Sequence, residues 1–249
     1  MKKHLKRVAQ LILPEIIYDF LLTKWRGPSY VPPVGKVKFG DLRRLKPISD
    51  RYGFDRGIPV DRYYIEKFLS KNSGYIKGRV LEIGDDSYTI KYGGNQVIQS
   101  DILNLDKRAN PKTSIEADLT NAPQIPSDSF DCIIFTQTLM FIYDIRSAVE
   151  TLHRILKPNG VLLATLGGIQ QTAGDQAWDK NWCWHFTSTS ASRLFKEVFQ
   201  SSDVDVEAYG NVLSAVSLLQ GLALSELQHD ELNFYDPEYQ ILVGVKVVK

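Results

Sequence analysis

Carboxylates recur at one kind of position in this sequence, directly after short apolar runs. In GRVLEIGDDSYT, residues 78–89, the run from Val80 to Ile83 carries Glu82 and stops at Gly84, with Asp85 next. Asp101 follows QVIQS, and Asp106 lies shortly beyond it. Asp118 stands in EADLTNAP, and Thr136 with Gln137 closes the run begun by CIIF. Ionised carboxylates accept hydrogen bonds from hydroxyls and amines, attract cations and repel phosphate. Such a set suits a ligand with hydroxyls, an amine and a positive centre. Histidine is the other chemistry-bearing type. His4 and His229 sit in polar terminal segments and His153 on a helical stretch, which leaves His185, in AWDKNWCWHFTSTS, as the candidate base or acceptor contact.

The elements that must hold these groups alternate along the chain. Apolar runs predict strands at 79–83, 96–100, 114–117, 131–136 and 160–165. Between the last two, DIRSAVETLHRILKPNG places Ala148, Leu152, Ile155 and Leu156 on one helical face, and Pro158 with Gly160 ends it. SASRLFKEVFQ reads as a further helix, and so does DRYYIEKFLSKN, with Tyr64, Ile65, Phe68 and Leu69 at helical spacing and Asp61 as its N-cap. Runs such as CIIF and VLLAT are apolar throughout, which implies burial on both faces and a mostly parallel sheet. DVDVEAY and YQILVGVKVV flank a helical segment near the C-terminus, and the last strand is expected to enter antiparallel because it needs no crossover. The predicted fold is α/β, a Rossmann-like, doubly wound, mostly parallel sheet with an antiparallel C-terminal strand and an N-terminal helical extension. Residues 1–70 form that extension and a lid, and residues 71–249 form the ligand-binding domain.

Composition excludes several classes. The chain has 249 residues and a net charge of +1, so no global field favours nucleic acid. Two cysteines, Cys132 and Cys183, have no metal-site spacing, so no metal is expected, and their scarcity points to a reducing, cytoplasmic compartment. MKKHLKRVAQLILPEIIYDFLLTKWRG begins basic and turns apolar, but Pro14, Glu15 and Asp19 interrupt it. It reads as a helix packed on the domain, with a helix resting on an anionic inner-membrane surface as the alternative.

In an open parallel sheet, ligands bind beyond the carboxyl ends of the strands. Acids there oppose a pyrophosphate, which needs bare amides and a helix N-terminus. They suit S-adenosylmethionine, with its ribose diol, ammonium and sulfonium. That choice also explains the single glycine, because the second glycine of a dinucleotide motif serves the approach of backbone to pyrophosphate.

RVLEIGDDSY, EADLTNAPQIPSDSFDCIIFTQTL and AVETLHRILKPNGVLLAT stand in order over residues 78–168. Together they resemble successive motifs of class I S-adenosylmethionine-dependent methyltransferases of the type 11 kind. The resemblance implies roles residue by residue. Glu82 and Gly84, with Asp85, match the turn beside the methionine part of the cofactor. An acid ending the second strand should take the ribose hydroxyls; Asp101 is the first candidate and Asp106 the second. Asp118 and Leu119 match the adenine contacts, and Thr136 with Gln137 matches the floor near the sulfonium. The chain departs from the pattern in lacking the further glycines and in having about ten residues between Ile83 and the next strand, so the first crossover helix is short or missing. NLDKRANPKT, with Pro111, predicts a loop as the second crossover.

Methyl transfer is an in-line displacement that needs positioning and, for an alcohol acceptor, a general base. Trp178, Trp182 and Trp184 surround His185 and offer faces for a sugar or planar ring. The connector SDRYGFDRGIPVDRYYIE supplies Arg56, Arg62 and Tyr64 as candidate contacts to acceptor or cofactor. With YGNVLSAVSLLQGLA, this layout is similar to methyltransferases of bacterial glycan biosynthesis, which implies a sugar, glycan or related small-molecule acceptor. The competing readings are a nicotinamide-dependent oxidoreductase and a non-catalytic interaction module. Nucleic-acid methylation has neither a basic stripe nor an N-P-P-Y-like tetrad to support it.

Overall fold

The computed structural model describes residues 30–172, 182–199 and 203–249, which fall into two compact units, Met1–Leu45 and Lys46–Lys249. The helix expected over 1–26, with His4 and its membrane contact, lies outside the described residues, and so does Trp178. Within the first unit, Gly40–Leu42 forms a single 3-10 turn, and the Arg43 guanidinium lies 4.8 Å from the centre of the Phe39 ring.

The second unit is built on seven strands: β1 Gly78–Ile83, β2 Val97–Asn104, β3 Ile115–Glu116, β4 Phe130–Thr136, β5 Leu156–Gly167, β6 Val204–Tyr209 and β7 Leu242–Val248. Their order is β3-β2-β1-β4-β5-β7-β6. Every pairing is parallel except those of β7, which runs antiparallel to both β5 and β6. The C-terminal strand therefore enters as the sequence led us to expect. Strand order reverses between β1 and β4, so the carboxyl ends of these strands border the crevice where doubly wound sheets bind ligands.

Helices cover both faces. α1 Val60–Lys71, α4 Val212–Leu219 and α5 His229–Asn233 lie on one side; α2 Ile145–Ile155 and α3 Ser188–Val198 lie on the other. Alternate strand residues feed the two cores. Leu162, Ala164 and Leu166 of β5 join α2 and α3, while Val161 and Leu163 join α1 and α4. Each fully buried large apolar side chain contributes about 1.5–3 kcal/mol. Caps fix where helices start: Asp144 accepts from the Ser147 amide before α2, and Thr187 forms a capping box with Ser190 before α3. α1 departs from expectation here. Its N-cap is Pro59, and Asp61 sits inside the first turn. The compact unit that begins at Lys46 includes α1.

The crossovers differ along the sheet. β1 reaches β2 through the π-turn Thr89–Gly93 and the 3-10 turn Gly94–Gln96, and β2 reaches β3 through a loop with one 3-10 turn, Lys107–Ala109. Both expectations about shortened crossovers hold. Among the described residues, no helix is long and apolar enough to cross a membrane.

Candidate active site

The turn after β1 is held by its backbone. Gly84 has φ +93°, which favours glycine, and a Cβ added there would meet no heavy atom within 4 Å. The space above it is open. Its N–H donates to the Leu103 carbonyl at 3.1 Å, and its own carbonyl accepts from Asn104 Nδ2 at 3.1 Å and Asn110 Nδ2 at 3.0 Å. Glu82 faces inward. It is 2% exposed and accepts from the Thr89 amide and hydroxyl, each at 2.7 Å, and from the Tyr88 amide at 3.2 Å. Burial pushes its carboxyl up to about 7. Glu82 thus ties down the start of the shortened crossover. Asp85 is exposed and accepts from the Ser87 amide at 2.8 Å.

The two candidates on β2 separate clearly. β2 continues to Asn104, so Asp101 does not end it. Asp101 pairs with Leu81 in mid-sheet, is 5% exposed, and binds Arg79 Nε at 2.7 Å, Gln99 Nε2 at 3.0 Å and Ser114 Oγ at 3.1 Å. The physical reason is neutralisation by Arg79 from the neighbouring strand, which lets an acid sit inside a sheet. Asp106 lies just beyond the carboxyl end of β2, where it caps Lys107–Ala109. Arg108, largely in solvent, chelates its carboxylate and holds it below its ordinary value. Asp118 follows β3, is exposed, and accepts from the Thr120 amide and hydroxyl, both at 2.8 Å; Leu119 beside it is buried. Gly84, Asp85, Asp106 and Asp118 all lie beyond the carboxyl ends of three adjacent strands.

At the end of β4, Thr136 pairs with Thr165 of β5 and Gln137 adopts φ +47°, a left-handed conformation rare for a non-glycine residue. The Gln137 amide N–H donates to the Thr165 carbonyl at 2.8 Å, which locks the bend. Both polar atoms of the Gln137 side chain are buried without a hydrogen-bond partner. Gln137 lines a cleft of about 140 Å³, together with Tyr52, Phe54, Asp61 and Arg62 from the connector and α1 and Met140, Phe141, Gln170 and Trp182 from the segments after β4 and β5. Sequence reasoning missed Asp61 and Gln170 as members of the site. The connector's density of Asp, Arg and Tyr was the signal for the first, and Gln170 gave none.

The acceptor candidates are distributed differently from expectation. His185 is exposed, outside the residues that line the cleft, and meets Trp182 edge-on with ring centres 5.8 Å apart. Trp184 donates from Nε1 to the Ile142 carbonyl at 3.0 Å and stacks on Tyr143, which employs it in anchoring the segment after β5. Tyr64 is 1% exposed and donates to the Leu232 carbonyl at 3.0 Å, so it packs α1 against α5. Arg56 Nε donates to Glu226 at 3.0 Å in a two-point ion pair. Arg62, by contrast, lines the cleft and donates to the Tyr88 hydroxyl at 3.1 Å.

A family model described as a methyltransferase domain matches residues 84–164, from the β1 turn to the middle of β5. No curated protein sequence matches the chain. Solved structures do. A SAM-dependent methyltransferase from Thermotoga maritima superposes with a TM-score of 0.52 at 18% identity, covering 81% of this chain and 98% of that one. The N-methyltransferase NodS from Bradyrhizobium japonicum, in complex with S-adenosyl-L-homocysteine, gives 0.51 at 15% identity, covering 78% and 89%. A SAM-dependent methyltransferase from Archaeoglobus fulgidus gives 0.51 at 10% identity, covering 76% and 94%. At these identities the likeness is one of fold. Taken with the domain match over residues 84–164 and the sheet order, it shows that the chain has the fold of these S-adenosylmethionine-dependent methyltransferases.

Proposed function

We propose that this protein transfers a methyl group from S-adenosylmethionine to a hydroxyl of a sugar, glycan or related small metabolite. One observation carries the cofactor half of the reading: a positive-φ glycine opens onto free space at a rim where Asp85, Asp106 and Asp118 gather. That donor set fits a cationic, phosphate-free nucleoside. Gly84 would lie against its methionine part, Asp106 would take the ribose hydroxyls, Asp118 with Leu119 would take the adenine, and Thr136 with Gln137 would floor the sulfonium end. When bound, the cofactor supplies a methyl carbon already activated for displacement. The protein's own residues supply position, and positioning alone removes up to about 7–11 kcal/mol of barrier in well-oriented reactions.

The acceptor half rests on the cleft. Aromatic rings of Tyr52, Phe54, Phe141 and Trp182 wall it, and the amides of Gln137 and Gln170 enter it. Apolar faces with a few hydrogen-bonding groups suit a hydroxylated ring. A nicotinamide dinucleotide fits poorly, because its pyrophosphate would meet the rim carboxylates. A purely structural role is disfavoured by the match of residues 84–164 to a methyltransferase domain. The scarcity of cysteine in the sequence supports a reducing, cytoplasmic setting.

The test is transfer of labelled methyl from the cofactor to a panel of methyl glycosides, nucleotide sugars and lipid-linked glycans. The reading expects label in a sugar methyl ether. Label only in amines, or in none of the panel, contradicts it.

A further inference from the structure

We infer that the cleft beyond β4 and β5 receives the acceptor and that Asp61 is the general base that takes the proton from its hydroxyl. The inference rests on the methyl-transfer reading above and deepens it. It starts from the buried polar atoms that converge on this cleft. Gln137 Nε2 and Oε1, Gln170 Nε2 and Trp182 Nε1 are all buried without a hydrogen-bond partner, and all three residues line the same cavity. A buried polar group left unmade costs about 1–3 kcal/mol, so a cluster of them in one cavity marks a site built for a polar ligand. Three donors and one acceptor match hydroxyl groups, which both give and take hydrogen bonds. They match a phosphate less well, because Gln137 Oε1 and Asp61 would face it with acceptors only.

Among the described residues, one carboxylate lines the cleft. Asp61 stands in the first turn of α1 and lines the same cavity as Gln137. The other titratable side chains among the described residues that line the cavity are Arg62 and Tyr52. Arg62 is engaged by the Tyr88 hydroxyl and lies 6.0 Å from the centre of the Phe54 ring, with Asp85 of the β1 turn as a further charged neighbour. From the β4 and β5 sides, the described residues that line the cavity are neutral: Gln137, Met140, Phe141, Gln170 and Trp182. Burial raises the Asp61 carboxyl above its ordinary value, against the pull of Arg62, and so makes it a stronger base than a solvated aspartate. His185, the base suggested by residue type, does not line this cavity.

The step balances within the site. The acceptor O–H bond breaks and its proton passes to Asp61. The oxygen's electron pair forms the bond to the methyl carbon as the sulfur–methyl bond breaks, and the bonding pair stays on sulfur. A sulfonium and a carboxylate become a neutral thioether and a carboxylic acid, with a methyl ether as product.

Asp61→Asn removes the base and keeps the shape. S-adenosylhomocysteine binding, measured by calorimetry, reports whether fold and cofactor site survive; methyl transfer to a glycoside accepted by the wild type reports the chemistry. The inference expects affinity within about twofold, a transfer rate down about 10²–10⁴-fold, loss of the acid limb of the pH–rate profile, and partial recovery in Asp61→Glu. An unchanged rate, a persisting acid limb, or affinity lost together with rate overturns it. If the wild type accepts no glycoside in the panel, the acceptor reading fails and this inference falls with it. If the wild type transfers methyl and Asp61→Asn does so equally well, only the assignment of Asp61 fails.

Discussion

The two halves of the sheet are clad in different ways. From β4 to β6, the described crossovers are carried by whole helices with side-chain caps, and α2 and α3 bury Leu152, Ile155, Ala191 and Phe195 completely. From β1 to β3 the chain turns around in loops and single helical turns. There the rim is held by directed bonds instead of packing: Asn104 and Asn110 both donate to the Gly84 carbonyl, and Glu82 collects three donors from Tyr88 and Thr89. The difference teaches that a strand-end rim needs few residues when its backbone groups are fixed by side chains.

Mutations should separate the halves. Phe135→Ala, at a fully buried position on β4, is expected to cost about 3–5 kcal/mol of stability in denaturant unfolding. Asp118→Ala on the opposite rim should leave stability within about 0.5 kcal/mol. Glu82 gives the next largest effect. Its folded-state value of about 7 lies above the ordinary 4.5, so its protonated form is favoured in the native protein. Stability from this group is complete below 4.5 and is lost as pH rises through about 7, by about 3 kcal/mol. Unfolding curves at acidic and alkaline pH should show that decline in the wild type, and Glu82→Gln should remove it.

The two acids near β2 sharpen the comparison further. Asp101→Asn strips a buried partner from Arg79 and Ser114 and should cost about 2 kcal/mol of stability with S-adenosylhomocysteine affinity unchanged. Asp106→Asn should do the reverse, with intact stability and affinity lowered about tenfold, or about 1.4 kcal/mol. Equal behaviour of the two would erase the distinction drawn between strand interior and strand end. Asn110→Ala gives the smallest effect. One donor to the Gly84 carbonyl is lost, worth about 1 kcal/mol, and Asn104 keeps the other.

Much of the fold was legible because strands buried on both faces are written as apolar runs: CIIF and VLLAT mark β4 and β5 directly. β2 was harder. Its middle reads Gln99, Ser100, Asp101, and the polar break hid four further strand residues, because the partner that permits an acid there, Arg79, lies on another strand. The position of the acids at strand ends was legible, for Asp85 and Asp118 as for Asp106. The acceptor side was not. Tyr64 shares the helical stripe of Ile65 and Phe68, so its burial was already implied by periodicity; Trp184 and Arg56 are consumed by Ile142 and Glu226, contacts far away in sequence. The cleft members Asp61 and Gln170 come together only through chain folding.

Calorimetric titration of the full-length chain with S-adenosylhomocysteine, S-adenosylmethionine and NAD interrogates the acid-lined rim itself. Saturable one-to-one binding of the first two, with no heat from NAD, is the predicted result. Binding of NAD, or silence with all three ligands, would contradict it.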